Sequence, residues 1–201
     1  MLTPLSLADR ELFLFLNSLH TPFWDVVMTY ISGKFFWIPL YALLLFGLAR
    51  HYKAKIAPVL VAIALCITVA DQVSSTLLKP LVERPRPCHS PYIGMEVHTP
   101  DGCGGQYGFV SSHAANAFGL ALLIWLLLRR RYPAVGWLFV WAFVVSYSRV
   151  YLGKHYPGDI AGGSLVGALA ALMCYKLYQT LGARWRWLKE EDYNLQTRYW
   201  A

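Results

Sequence analysis

The densest chemistry in the chain lies in Ser148-Arg149-Val150-Tyr151-Leu152-Gly153-Lys154-His155-Tyr156-Pro157-Gly158-Asp159, a polar stretch between two apolar runs. His155 has a carboxylate, Asp159, four residues after it and a guanidinium, Arg149, six residues before it. Pro157 suits the first turn of a helix, so the apolar run from Ile160 is predicted to begin near it, with Asp159 in that turn. A carboxylate there can accept the N–H of one imidazole nitrogen, which fixes the tautomer and frees the other nitrogen as a nucleophile. Arg149 can hold two phosphoryl oxygens through its planar fork, and the helix start adds a positive dipole end. The competing reading is structural: His155 and Asp159 pair at a helix terminus while Arg149 snorkels to a membrane surface.

Two further segments offer complementary groups. Lys79 opens Lys-Pro-Leu-Val-Glu-Arg-Pro-Arg-Pro, in which Arg86 follows seven residues on, between Pro85 and Pro87. Two cations on a stiff turn suit a phosphate dianion; the alternative is an ordinary basic membrane flank. Ser111-Ser112-His113 opens another apolar run. A serine N-cap leaves backbone N–H groups facing an anion, and His113, one step inside, can protonate a leaving oxygen or be merely solvated.

The elements that must position these groups read as membrane helices. With 57% hydrophobic and 14% charged residues, the chain does not suit a soluble globule. Its net charge of +7 sits in short clusters at the ends of apolar runs, with no basic face for nucleic acid. Five spans are predicted: Phe35–Ala49, Ile56–Leu78, Ser112–Leu128, Ala134–Tyr147 and Ile160–Leu181. Residues 5–32 are broken by Asp9, Arg10, Glu11, Asn17, His20, Pro22 and Asp25, a pattern that fits neither a cleavable signal nor an easy span. Two interfacial helices, Leu7–Leu19 and Thr21–Ile31, are predicted there, with a sixth span as the alternative. The expected fold class is all-α, an integral membrane helical bundle forming one domain. Its parts are interfacial helices over 1–33, a bundle over 34–181, and a Trp-, Arg- and Lys-rich cytoplasmic tail over 182–201. Asp71, the one charge inside the second span, is assigned a supporting role, solvated by Gln72, Ser74, Ser75 and Thr76. Gly163 and Gly167 suit close helix approach.

Because spans alternate in direction, Lys79, the 80–110 loop, the start of the third span, Arg149 and His155 share one membrane face. The turns Arg50–Lys55 and Arg129–Arg131, with three basic residues each, lie on the other. Short basic turns stay cytoplasmic, so the polar constellation is expected to face outward. Cys66 and Cys174 fall inside apolar runs, whereas Cys88 and Cys103 fall in the outward loop, where a disulfide can persist. A zinc site including His89 and His98 is the alternative, at a spacing that fits no common zinc pattern.

Taken together, the three polar segments resemble the type 2 phosphatidic acid phosphatase superfamily, which includes vanadium haloperoxidases and soluble acid phosphatases. Lys79, Arg86 and Pro87 match its first motif, and Ser148, Arg149, His155 and Asp159 its third. In the second motif Ser111 and His113 agree, while Val110 stands for proline and Ser112 for glycine. The resemblance implies that His155 forms a phosphohistidine, oriented by Asp159, and that His113 protonates the leaving oxygen and then activates water. Lys79, Arg86, Arg149, Ser111 and the position of Ser112 would hold the phosphoryl group, with no metal or other cofactor. The implied partners are a lipid phosphate or diphosphate and the bilayer of a bacterial-type inner membrane. Undecaprenyl diphosphate, phosphatidylglycerol phosphate, phosphatidate and a lipid A phosphate would present similar heads. A haloperoxidase, or a non-enzymatic lipid transporter or structural protein, is the competing function.

Overall fold

Apolar runs punctuated by proline, glycine and short basic turns fold here as helices. The computed structural model describes residues 4–184; the expected tail from residue 185 onward lies outside the described residues, while 182–184 extend the last helix. The order is α1 (Pro4–Ser18), α2 (Pro22–Ser32), α3 (Ile38–Tyr52), α4 (Ile56–Asp71), a one-turn α5 (Lys79–Val82), α6 (Ser112–Leu128), α7 (Trp137–Tyr151) and α8 (Pro157–Arg184). Among the described residues there is no β-strand. Segments 34–82, 133–151 and 157–183 are long and apolar enough to cross a membrane, and α6 is a shorter apolar helix. The protein is therefore a multi-pass membrane protein.

Local chemistry explains most boundaries. The Thr21 hydroxyl accepts the Trp24 N–H and Pro22 enters the first turn of α2, which closes where the Gly33 N–H reaches the carbonyls of Thr29 and Tyr30. Lys53, at φ 47°, breaks α3 from α4. The single span expected over Ile56–Leu78 is continuously helical, but after Asp71 the backbone widens into a π-helical stretch, Gln72–Leu78, and runs on into α5. Ser74 and Ser75 both donate to the Asp71 carbonyl, competing with the regular ladder, and Pro80 has no N–H to continue it. The span expected over Ala134–Tyr147 begins instead as a 3-10 turn, and α7 runs on through Tyr151, so Ser148 and Arg149 sit within its last turn.

The core centres on α6, which lies against α4, α7 and α8. One apolar cluster joins Leu48, Val59, Ala121, Ile124 and Leu138; a second joins Cys66, Ala115, Leu123, Ala171 and Cys174. Between α6 and α8 the backbones touch. A Cβ on Gly167 would stand 2.1 Å from the Ala115 carbonyl oxygen, and one on Gly163 2.4 Å from that of Ser111. A third cluster, Phe13, Ile93, Val150 and Tyr156, brings α1 to the end of the bundle where α7 stops and α8 starts. There Asn17 donates to the Tyr151 carbonyl at 2.7 Å and accepts from the His98 N–H at 2.9 Å. The opposite face of α1, with Leu7, Leu12 and Phe15, is exposed. Two helices, α1 and α2, thus stand where Leu7–Leu19 and Thr21–Ile31 are expected to be helical.

Candidate active site

Gly153, at φ 70°, makes the turn that drops the chain from α7 to His155, and a Cβ there would stand 2.6 Å from the His98 carbonyl oxygen. The His155 N–H donates to the Arg149 carbonyl at 3.2 Å, and Pro157 then starts α8. Asp159, in that first turn, accepts the Tyr156 N–H on Oδ2 at 3.0 Å. The same oxygen lies 3.5 Å from His155 Nδ1, an ion-pair distance outside hydrogen-bonding geometry, and Nδ1 has no hydrogen-bond partner. Such contacts are often loose in free enzymes and tighten with substrate. Both side chains are buried, and burial pushes the His155 pKa down to about 4; Asp159 opposes the shift while Arg149 and Arg86 add to it. At neutral pH the imidazole is therefore uncharged, as a nucleophile must be.

Three cations converge on this pair. Lys79 Nζ donates to the Ser112 hydroxyl at 3.0 Å. Arg86 is held by the Tyr107 carbonyl at Nε, 3.2 Å, and by the Cys103 carbonyl at one terminal nitrogen, 3.4 Å. Arg149 is buried; it donates to the Ser32 hydroxyl of α2, and its Nε has no acceptor among the described residues. Lys79 feels both arginines electrostatically, and the arginines feel each other. Burying mutually repelling cations is costly unless an anion joins them, so the group is built for an anionic ligand.

Ser111 caps α6: its hydroxyl accepts the Ala114 N–H at 3.4 Å and its own N–H donates to the Asp159 carbonyl at 3.0 Å. His113, in the first turn of α6, is exposed and interacts electrostatically with Arg149, His155 and Lys79. The structure thus gathers His155, Asp159, His113, Lys79, Arg86, Arg149, Ser111 and Ser112 at one end of the bundle. It turns the Ser111 hydroxyl toward a helix cap and places the Ser112 hydroxyl on Lys79.

The 83–110 loop is anchored at both ends. Pro85 bridges Tyr107 in antiparallel fashion, with hydrogen bonds from Arg86 N–H to the Gln106 carbonyl and from Gly108 N–H to the Arg84 carbonyl. Cys88 and Cys103 form a disulfide, Cα–Cα 6.0 Å, so neither sulfur is free as a zinc ligand. Gly108 lies directly on the His155–Asp159 pair: a Cβ there would stand 2.9 Å from Asp159 Oδ2 and 3.6 Å from His155 Nδ1.

Four participants escape sequence reasoning. Arg84 donates to Asp159 Oδ1 at 2.8 Å and to Asp9 Oδ2 at 2.6 Å, and Asp9 also accepts the Gly158 N–H at 2.7 Å. Gly108 and Ser32 are the others. Arg84 carried a signal, a second arginine in a proline-locked basic run; a lone acid in an amphipathic helix, a loop glycine and a helix-end serine carry none.

Comparison with known proteins agrees with this geometry. The chain is 42% identical over 187 residues to a lipid A 4'-phosphatase of Bacteroides thetaiotaomicron, spanning 92% of this chain and 83% of that one. It is 38% identical over 185 residues to a lipid A 4'-phosphatase of Porphyromonas gingivalis, spanning 90% and 76%. The crystal structure of Aquifex aeolicus LpxE superposes with a TM-score of 0.60 at 26% identity, over 83% of this chain and 93% of that one. A transmembrane PAP2-type phosphatidylglycerolphosphate phosphatase from Bacillus subtilis shares the fold, with a TM-score of 0.68 at 24% identity over 88% and 87%. The sequence model of the PAP2 superfamily matches residues 55–183, which include every member of the proposed site from Lys79 to Asp159, and the chain belongs to that superfamily.

Proposed function

We propose that the protein is a membrane lipid phosphatase that removes a phosphoryl group through a phosphohistidine intermediate, with lipid A 4'-phosphate as its preferred substrate. The observation that carries the reading is the buried, neutral His155 placed among Lys79, Arg86 and Arg149 and backed by Asp159. In the first step the free imidazole nitrogen attacks phosphorus, the P–N bond forms and the P–O bond to the lipid breaks. His113 gives its proton to the departing oxygen while Asp159 accepts the hydrogen at Nδ1 as the imidazole becomes cationic. In the second step His113 takes a proton from water as the water oxygen bonds to phosphorus, the P–N bond breaks with its electron pair returning to the His155 imidazole, and inorganic phosphate leaves. Lys79, Arg86, Arg149 and the N-terminus of α6 stabilise the charge spread over the phosphoryl oxygens, each preorganised donor being worth roughly 3 kcal/mol.

The two relatives matched over nearly the whole chain support the lipid A headgroup. The site end of the bundle, opposite the basic turns, supports an outward-facing reaction at the inner membrane. The test is a panel of lipid A, undecaprenyl diphosphate, phosphatidylglycerol phosphate and phosphatidate, compared by kcat/KM in chelator with His155→Ala as control. Highest kcat/KM on lipid A, lost in His155→Ala, is expected. A preference for another lipid rejects the substrate, and turnover surviving in His155→Ala rejects the mechanism.

A further inference from the structure

We infer that Asp9 of α1 is a positioning residue of this site, acting through Arg84 to fix which oxygen of Asp159 faces His155. The inference rests on the phosphatase reading above and extends the working site beyond residues 55–183, the segment that matches the family.

Asp9, Phe13 and Asn17 recur every four residues, so they form one stripe of α1, and each member meets the site end of the bundle. Phe13 packs edge-on against Tyr156 with ring centroids 5.3 Å apart, and Asn17 bonds the Tyr151 carbonyl. Asp9 divides its carboxylate: Oδ1 accepts the Gly158 N–H at the start of α8, while Oδ2 accepts one arm of the Arg84 guanidinium. The other arm goes to Asp159 Oδ1, and the guanidinium carbon lies 4.0 Å from the Tyr156 ring centroid. Two carboxylates and an aromatic face therefore hold Arg84 in one orientation. Space is also matched, since a Cβ on Gly158 would stand 2.8 Å from Asp9 Oδ2.

The consequence for chemistry follows from the fork. An arginine facing a single carboxylate prefers to take both of its oxygens. Asp9 engages one arm, so Arg84 uses only Oδ1 of Asp159 and leaves Oδ2 to the Tyr156 N–H and His155 Nδ1. Without the charge on Asp9, the second arm of Arg84 can swing to Oδ2 and compete with the imidazole. Asp9 does not itself touch the reacting atoms, so its loss should fall on the chemical step and spare substrate affinity.

The experiment uses the full chain in detergent, with kcat and KM for a lipid phosphate determined separately in wild type, Asp9→Asn, Arg84→Gln and the double variant. Asp9→Asn keeps an acceptor for the Gly158 N–H but loses the charge. The expected result is a kcat lower by roughly tenfold to a hundredfold with KM little changed, and little further loss when Asp9→Asn is added to Arg84→Gln. Wild-type kcat in Asp9→Asn, or losses that multiply in the double variant, would overturn the relay and leave Asp9 as a helix cap alone. If Asp9→Asn does not accumulate as folded protein, Arg84→Lys, which keeps the charge but lacks the planar fork that spans Asp9 and Asp159, is read by the same criteria. Calorimetric titration with orthovanadate, a mimic of the phosphoryl transition state, separates this idea from the phosphatase reading. Weaker orthovanadate binding in Asp9→Asn alongside a wild type inactive on every lipid retains the relay and rejects the lipid substrate. Equal orthovanadate affinity in both proteins rejects the relay.

Discussion

The backbone N–H of Ser111 donates to the Asp159 carbonyl oxygen at 3.0 Å, so the N-cap of α6 and the first turn of α8 share a hydrogen bond. The proposed proton donor, His113, stands two residues beyond one end of that bond, and His155 four residues before the other. Their relative placement is thus set by main chain, which does not depend on rotamers.

Replacing either histidine should abolish lipid turnover, with kcat falling on the order of a thousandfold or more. The variants should differ with a substrate whose leaving group is a weak base. Such a group needs little protonation, so phosphoenzyme formation should partly recover in His113→Ala and not in His155→Ala. Rapid-quench trapping of the phosphoenzyme measures this, and equal recovery in both would refute the assigned roles.

Arg149→Lys keeps one positive charge but loses the fork and the donor at Nε. The expected loss in kcat/KM is on the order of a hundredfold, as for removal of one oxyanion-stabilising donor. Steady-state kinetics with activity near wild type would show that bidentate contact is not used.

What could be read from sequence here were groups whose types are costly to keep in a membrane unless they work: His155, Arg149, Lys79 and Asp159 stand out because apolar runs surround them. Asp9 was hidden because an acid on an amphipathic helix looks like an interfacial charge, and its partner lies 75 residues away. Gly108 was hidden because its role is to have no side chain, which no spacing announces. The helix ends were misplaced by a few residues where serine hydroxyls and Pro80 redirect the backbone between Asp71 and Val82.

The acid limb of kcat/KM should lie well below the ordinary histidine range. In the proposed mechanism neutral His155 is the working form, so activity should be kept above its pKa and lost as pH falls through about 4. In Asp159→Asn the carboxylate that favours the charged imidazole is gone, and the limb should move lower still while the rate drops. The profile must be corrected for the second ionisation of the substrate phosphate, near pH 6. A limb at the unperturbed histidine value would mean that the imidazole is hydrated in the working enzyme.

Gly108→Ala should sharply lower kcat while the Cys88–Cys103 bond still forms, because its methyl would press on Asp159 Oδ2 and crowd His155 Nδ1. Near-wild-type kcat in this variant would mean that the loop can shift aside at no cost to the site.

Cys88→Ser or Cys103→Ser opens a disulfide of sequence separation 15, and the chain-entropy model assigns such a closure about 3 kcal/mol. A lower Tm is expected, together with a weaker hold on Arg86, whose guanidinium bonds the Cys103 carbonyl. Thermal unfolding of both variants and thiol counting of the non-reduced wild type measure these; two free thiols at 88 and 103 would remove the bridge and its support for an outward loop.

The bare backbone contact at Gly163 and Gly167 divides the protein's evolutionary freedom unequally. A methyl group at either position would drive α8 away from α6 and carry Asp159 off its mark, so mutation at that seam is nearly closed. Exposed residues such as Leu165, Leu169 and Leu172, on the same helix but turned outward, bear no such restriction. Change along the outward face of α8 can therefore accumulate without disturbing the seam that sets where Asp159 stands.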